Sequence, residues 1–289
     1  MQFEKLLRIS RPRFWIYLFG PFLIGRIAGL DMLFSDFFEL RQYSNIMLLA
    51  LLIIAADYFL FSANLFVYGI NDLSDDDTDC FNDKKSYEHS LACDERTLAR
   101  HIIAFAGTEL LLMVLLVRTQ KNIFTHEQRR RIVALLLFWV TSYFYSSVPV
   151  RAKSKPFLDG IFNVLYIVPA IIWIVSGHGI EGFSRVGFAA GWLRAMAMHA
   201  YSAIPDIEPD AKAITTTAVF LGKEYTLVYC VLRAAAAFLF VVLWPVLFMG
   251  AVYLIMIFLS FSDVMKLYTR FPWINALGFV LFWLIVLGG

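Results

Sequence analysis

Carboxylates crowd two points of this chain, each just beyond a long apolar run. The first is Asn71-Asp72-Leu73-Ser74-Asp75-Asp76-Asp77-Thr78-Asp79, after the run Ile46–Ile70. The second is Asp206-Ile207-Glu208-Pro209-Asp210, after Val186–Ile204. Ionisable groups beside hydrocarbon are expensive and tend to mark sites. If the preceding helix continues, Asp72, Asp75 and Asp79 share one face at i, i+3 and i+7, and Asp206 and Asp210 share one at i, i+4. Two such carboxylate sets repel unless something cationic compensates them. Oxygen-only donors select a hard ion such as Mg²⁺, which keeps some water and fills its other positions with substrate phosphates. The chemistry implied is a metal–diphosphate clamp at the edge of a membrane. Asp75, Asp77 and Asp79 do not make an EF-hand loop, because its sixth position is Cys80 instead of Gly and its twelfth Ser86 instead of Glu. A plain solvated acidic loop would explain the first cluster but not a second with matching spacing.

Between them lies Tyr145-Ser146-Ser147-Val148-Pro149-Val150-Arg151-Ala152-Lys153-Ser154-Lys155-Pro156. Alone, its cations read as topological anchors. Beside a diphosphate, Arg151 and Lys153 would bind nonbridging oxygens and stabilise the leaving group. Lys84, Lys85 and Lys212 are secondary candidates for the same work.

The elements that must position these groups are membrane helices. The chain is 60% hydrophobic with a mean hydropathy of +0.68, well above a soluble norm of roughly 45–50% apolar. Spans of about 20 residues cross a bilayer, and about nine candidates are legible by that criterion. They lie near Phe14–Leu30, Ile46–Ile70, Leu98–Val117, Ile132–Val148, Leu158–Val175, Val186–Ile204, Tyr225–Val241, Pro245–Phe261 and Trp273–Leu287. The seventh and eighth are divided at Trp244-Pro245, since proline disfavours helix in the residue before it. A signal peptide is not expected, because no small-residue cleavage site follows the first run and Arg26 interrupts it. With the N-terminus inside, about fifteen Lys/Arg fall on the cytoplasmic side against about seven outside. Arg129-Arg130-Arg131 runs against that bias. Both acidic clusters and the Arg151–Lys155 loop then share the cytoplasmic face. Cys80, Cys93 and Cys230 show neither metal spacing nor a disulfide framework. A net charge of +2 carries no nucleic-acid signal.

These residues resemble the UbiA-type superfamily of intramembrane prenyltransferases, whose signature is N-D-x-x-D-x-x-x-D after helix two and D-x-x-x-D after helix six. Asn71, Asp72, Asp75 and Asp79, then Asp206 and Asp210, match it, and Tyr145…Arg151…Lys153…Asn163 resembles the family's basic loop. The likeness covers essentially the whole chain. Arg11-Pro12-Arg13-Phe14-Trp15, Asn64-Leu65-Phe66-Val67-Tyr68-Gly69 and His199–Asp210 look like its carotenoid-modifying branch, which includes the lycopene elongases. One departure is the segment Ala213-Ile214-Thr215-Thr216-Thr217, where relatives usually carry a Gly.

The resemblance implies Mg²⁺ held against a prenyl diphosphate by Asn71, Asp72, Asp75, Asp79, Asp206 and Asp210. Arg151, Lys153 and Lys212 would help bind the diphosphate. Ionisation gives an allylic cation, with Tyr68, Tyr145, Tyr166 and Tyr201 as candidate aromatic stabilisers. Tyr145 and Tyr201 join Asp72, Asp75, Asp206, Arg151 and Lys153 as the expected catalytic set. Asp57 and His199 are candidate proton acceptors, Arg194 and Arg233 candidate buried partners of Asp57, and Asn64 a candidate orienter of the clamp.

The expected fold is all-α: one polytopic domain over 1–289, a bundle of about nine transmembrane helices around a central cavity. The expected reaction moves a prenyl group, C5 in this branch, to a hydrophobic acceptor such as a carotenoid. The chain would be integral to the plasma membrane if prokaryotic, with its site toward the cytoplasm. An aromatic quinone or lipid precursor is the alternative acceptor. A cation transporter is the alternative class, though transporters place carboxylates near mid-membrane on broken helices.

Overall fold

The computed structural model describes residues 2–28, 46–74, 95–119, 126–166, 185–239, 244–270, 272–274 and 276–277. Among the described residues every regular element is helical. Contacts divide the chain into two units, one including residues 2–74 and 95–143, the other 144–164 and 185–277.

The first unit opens with α1 (Gln2–Ile9), an amphipathic helix. Leu6 and Ile9, three apart, are buried, while Phe3 is exposed. Its end is abrupt. Ser10 Oγ donates to the Leu7 carbonyl at 2.7 Å, Arg11 adopts a left-handed backbone (φ 50°), and Pro12 starts a 3-10 turn, Pro12–Phe14. Next come α2 (Ile16–Ala28) and then α3 (Ile46–Asp57), a π turn (Tyr58–Ser62) and α4 (Ala63–Ser74) in unbroken succession. Residues Ile53–Ser74 form the single helix among those described that is long and apolar enough to cross a membrane. The π turn alters carbonyl pairing, and Asn64 Nδ2 answers it by donating to the Phe59 and Leu60 carbonyls at 2.9 and 3.0 Å. Asn64 therefore serves the π turn, where clamp orientation had been expected.

Helices α5 (Glu95–Thr119) and α6 (His126–Ser146) complete this unit, the last turn of α6 passing into the second. Both extend beyond their expected apolar runs into polar sequence, because a helix supplies its own backbone hydrogen bonds in water or lipid alike. Leu6, Ile9, Leu65, Phe66, Ile70, Ile102 and Ala106 form the core. Gly69 makes it possible: a Cβ there would lie 2.3 Å from Ile102 Cδ1. Trp139 of α6 stacks on Phe66, centroids 4.3 Å apart, and donates to Tyr58 Oη at 2.7 Å.

In the second unit α7 (Leu158–Phe162) runs into a 3-10 turn, Asn163–Tyr166, of which Asn163 and Val164 belong to this unit. Then follow α8 (Arg185–Ser202), a 3-10 turn (Ile204–Asp206), α9 (Ile207–Asp210), α10 (Thr217–Leu239), α11 (Trp244–Leu259) and α12 (Val264–Tyr268). Helix α11 begins at Trp244-Pro245, where proline's missing N–H costs nothing in a first turn. Helix α10 is kinked at Gly222, whose φ of 73° is open to glycine at no steric penalty. The core joins Tyr201, Ile204, Leu227, Cys230, Tyr253, Met256 and Val264 among others. Large apolar side chains lie exposed along these helices, including Leu232, Ile255 and Phe258.

Candidate active site

The first acidic motif begins on the last turn of α4. Asp72 is buried, and its Oδ1 accepts a 2.7 Å hydrogen bond from Arg11 Nη2, with the two side chains 6% and 11% exposed. The left-handed backbone at Arg11 turns its side chain away from the helical path of α1. The guanidinium lies 4.9 Å from the centroid of the Tyr68 ring, one turn before Asp72, and Phe14 packs on the same ring. Tyr68 thus carries a cation on its face, but that cation is Arg11. Asn71 sits beside Asp72 and is half-buried. Asp75, Asp77, Asp79, Lys84 and Lys85 lie outside the described residues, as does the side chain of Tyr166.

The second motif does not continue α8 as a helix face. Pro205 and Pro209 each lack an N–H, so the chain advances by single turns: Asp206 closes the 3-10 turn and Asp210 closes α9. Both carboxylates remain one helical turn apart and half-buried. The Asp210 carbonyl accepts the N–H groups of Ala213 and Ile214 at 2.9 and 2.8 Å, which folds the chain back with Lys212 exposed.

The basic loop is tightly wound. The Val148–Pro149 bond is cis, Arg151 has φ 41°, and a 3-10 turn spans Ala152–Ser154. The Arg151 N–H donates to the Ser147 carbonyl at 2.8 Å, and Ser154 Oγ to the Arg151 carbonyl at 2.8 Å. Lys153 is 6% exposed, an unusual depth for an ammonium.

A residue that sequence reading missed anchors this loop. Asp159, only 1% exposed, accepts from Gly160 N at 2.6 Å, from Thr217 N at 2.8 Å and from the Thr217 hydroxyl. That hydroxyl in turn accepts the Phe157 N–H at 2.6 Å. Asp159 thereby ties the end of the basic loop to the start of α10. The Thr-rich segment that departs from the family pattern supplies the tie. His199 Nε2 stands 3.8 Å from Asp159 Oδ2. Tyr145 Oη lies 3.2 Å from His199 Nε2 and 3.4 Å from Nδ1. The available signal was a lone carboxylate entering an apolar run.

Other expectations change. Tyr201 is 1% exposed with its hydroxyl bonded to Ser260 at 2.6 Å, so its ring is packed in the core and not presented to a cation. Asp57 lies beside Glu109 of α5. Arg194 instead bonds Tyr253, and Arg233 lies over the Tyr229 ring.

Residues 32–285 match the UbiA prenyltransferase family. The chain belongs to that family. As a UbiA prenyltransferase it is an enzyme, and it is 39% identical over 240 residues to the lycopene elongase/hydratase of Haloarcula japonica, covering 81% of this chain and 73% of that protein. The lycopene elongase/hydratase of Haloferax volcanii is 34% identical over 285 residues, 93% of this chain and 83% of its own. The fold matches a UbiA homolog from Archaeoglobus fulgidus solved with DMAPP and Mg²⁺, with a TM-score of 0.60, 21% identity, and 98% and 99% of the two chains covered. The same homolog with GPP and Mg²⁺ gives a TM-score of 0.60 at 19% identity, over 99% of this chain and 100% of that one.

Proposed function

We propose that this UbiA prenyltransferase transfers a C5 dimethylallyl group from its diphosphate to lycopene or a related carotenoid, using Mg²⁺. The observation that carries the acceptor is the identity, across most of the chain, to archaeal proteins named lycopene elongase/hydratase. The apolar side chains exposed along the helices support an integral membrane protein, and the apolar runs of the sequence support about nine spans, around a central cavity in this reading. The N-terminus and the site lie on the cytoplasmic side in this reading. Residues 1–289 act as one functional domain.

Asn71, Asp72, Asp75, Asp79, Asp206 and Asp210 would hold Mg²⁺. The donors are all oxygen, as a hard ion requires, and Asp206 and Asp210 close successive turns of the chain. When bound, the metal neutralises charge on the diphosphate and so assists its departure. Arg151, Lys153 and Lys212 bind phosphate oxygens, and the wound backbone at Arg151 holds the first two in fixed relation. Breaking the allylic C–O bond leaves a cation, which the acceptor alkene attacks with its π pair; the product cation is then discharged by loss of a proton, from an adjacent C–H or from an added water. In this reading Tyr145 meets the allylic cation with its ring. A hydrocarbon acceptor needs no polar partner, which suits a chain with 28 phenylalanines.

The test is diphosphate release from dimethylallyl diphosphate by purified protein, with and without Mg²⁺ and lycopene. This reading expects release only with both. A cation transporter would release none, and release driven by an aromatic acid in place of lycopene would shift the acceptor to a quinone precursor.

A further inference from the structure

Arg151 and Lys153 carry like charges two residues apart, so their own interaction does nothing to hold the loop in one shape. We infer that Asp159 and Thr217 are positioning residues for this loop. Their hydrogen bonds clasp it to the start of α10 and thereby set how tightly it takes a diphosphate; the inference rests on the diphosphate-binding role given to Arg151 and Lys153 above.

The loop is a succession of single turns. The Arg151 N–H donates to the Ser147 carbonyl at 2.8 Å, and the Ser154 N–H to the Arg151 carbonyl at 3.0 Å. The Lys155 N–H donates to Ala152 at 3.1 Å, and the Leu158 and Asp159 N–H groups both reach the Lys155 carbonyl at 3.2 Å. A displacement at Asp159 is therefore passed back, turn by turn, to Arg151. Two residues of the run, Arg151 at φ 41° and Phe157 at φ 66°, adopt the left-handed backbone that side chains disfavour. Such residues persist where their surroundings leave them no alternative.

The restraint on Phe157 comes from 60 residues away: its N–H donates to Thr217 Oγ1 at 2.6 Å. The Thr217 hydroxyl gives its own proton to Asp159 Oδ1, and the Thr217 N–H donates to Asp159 Oδ2 at 2.8 Å. Because the hydroxyl both accepts and donates, Phe157, Thr217 and Asp159 are joined in one closed ring. Gly160 N–H donates to Asp159 Oδ1 at 2.6 Å, and Asn163 Nδ2 to the Asp159 carbonyl at 2.7 Å. Asp159, Asn163 and Thr217 are all buried.

Packing alone does not account for this ring. An apolar pair of the same volume would fill the space with no carboxylate to desolvate. A fully satisfied polar network adds direction, holding the atoms it joins in a single arrangement. The same carboxylate stands 3.8 Å from His199 Nε2 on α8, the helix that leads to Asp206 and Asp210. Asp159 thus meets the basic loop, the start of α10 and the element that precedes the second acidic motif.

The experiment measures binding of an unreactive dimethylallyl thio-diphosphate to purified protein with Mg²⁺ by calorimetry, alongside thermal unfolding. Thr217→Val keeps the volume and removes the hydroxyl, whereas Thr217→Ser keeps the hydroxyl. Folded Thr217→Val is expected to raise the analogue's Kd about tenfold or more, and Thr217→Ser to recover wild-type affinity. A Thr217→Val protein that loses stability yet binds as tightly as wild type has lost packing only, and overturns the inference; equal weakening by Val and Ser overturns it too. Hydrogen exchange on the wild-type protein covers the case in which Thr217→Val does not fold. Coupling between loop and clasp is reciprocal, so the analogue is expected to slow exchange in peptides spanning residues 150–160 and 214–220 alike. Slowing confined to 150–160 overturns the inference while leaving diphosphate binding standing. If the wild-type protein does not bind the analogue at all, the diphosphate reading falls and this inference falls with it.

Discussion

Gly69→Ala tests how tightly the helix bearing the first motif is held. A methyl at Gly69 would sit 2.3 Å from Ile102 Cδ1, 2.9 Å from its Cγ1 and 3.5 Å from Ile9 Cγ2. Carbon–carbon contact needs about 3.5–4.0 Å, so the Ile102 Cδ1 methyl must retreat by about 1.2–1.7 Å. Ile102 is 0% exposed and has nowhere open to go. Overpacking costs about 1–3 kcal/mol, and two contacts this short place the clash near the top of that range. Alanine returns about 0.5–1 kcal/mol of helix preference over glycine. The net loss is about 2 kcal/mol, or about 4–8 °C in Tm for a unit of this size. The assay is thermal unfolding in detergent, followed by intrinsic fluorescence and by monodispersity after heating. The decisive comparison repeats Gly69→Ala in an Ile102→Ala background, where both clashing atoms are gone. There the substitution should be neutral or stabilising by up to about 1 kcal/mol. A Gly69→Ala protein as stable as wild type, or equal losses in both backgrounds, would refute the packing argument. Turnover should fall in the single variant as well, because Asn71 and Asp72 ride on the displaced turn.

Asp72→Asn and Asp206→Asn should each lower turnover by about two to three orders of magnitude with insertion intact, whereas Asp77→Asn, off the shared face, should be mild; steady-state diphosphate release on folded protein checks both. Arg151→Ala should slow turnover and weaken binding of an unreactive thio-diphosphate analogue, measured by calorimetry; unchanged affinity and rate would make Arg151 an anchor only. Arg11→Gln breaks a pair with side chains 11% and 6% exposed, so stability should fall by about 3–5 kcal/mol. Adding Asp72→Asn should recover part of that loss in a double-mutant cycle.

Apolar runs and proline positions made the helical elements legible. Ile46–Ile70 falls within the helices that end at Ser74, and the Trp244-Pro245 division coincides with the start of α11. The π turn at Tyr58–Ser62 was not legible, because its residues are as apolar as their neighbours and only the Asn64 hydrogen bonds reveal it. Pro205 and Pro209 were in view, yet the i, i+4 spacing of Asp206 and Asp210 suggested a continuous helix where proline leaves single turns. Within the candidate site, the charged motifs could be read from local spacing. Their supports could not: Arg11 meets Asp72 across 61 residues and Thr217 meets Asp159 across 58, and such pairings are set by tertiary packing that a hydropathy pattern does not encode.

Weighing pigments shows whether the chain prenylates a carotenoid. The chain is expressed in a lycopene-producing bacterium, its presence in the membrane confirmed, and the extracted carotenoids are resolved by mass. New C45 and C50 species carrying one and two added C5 units are expected, absent from cells expressing Asp72→Asn. Unchanged lycopene in cells expressing the intact chain, together with prenylation of an aromatic acid by the same membranes, would contradict carotenoid prenylation.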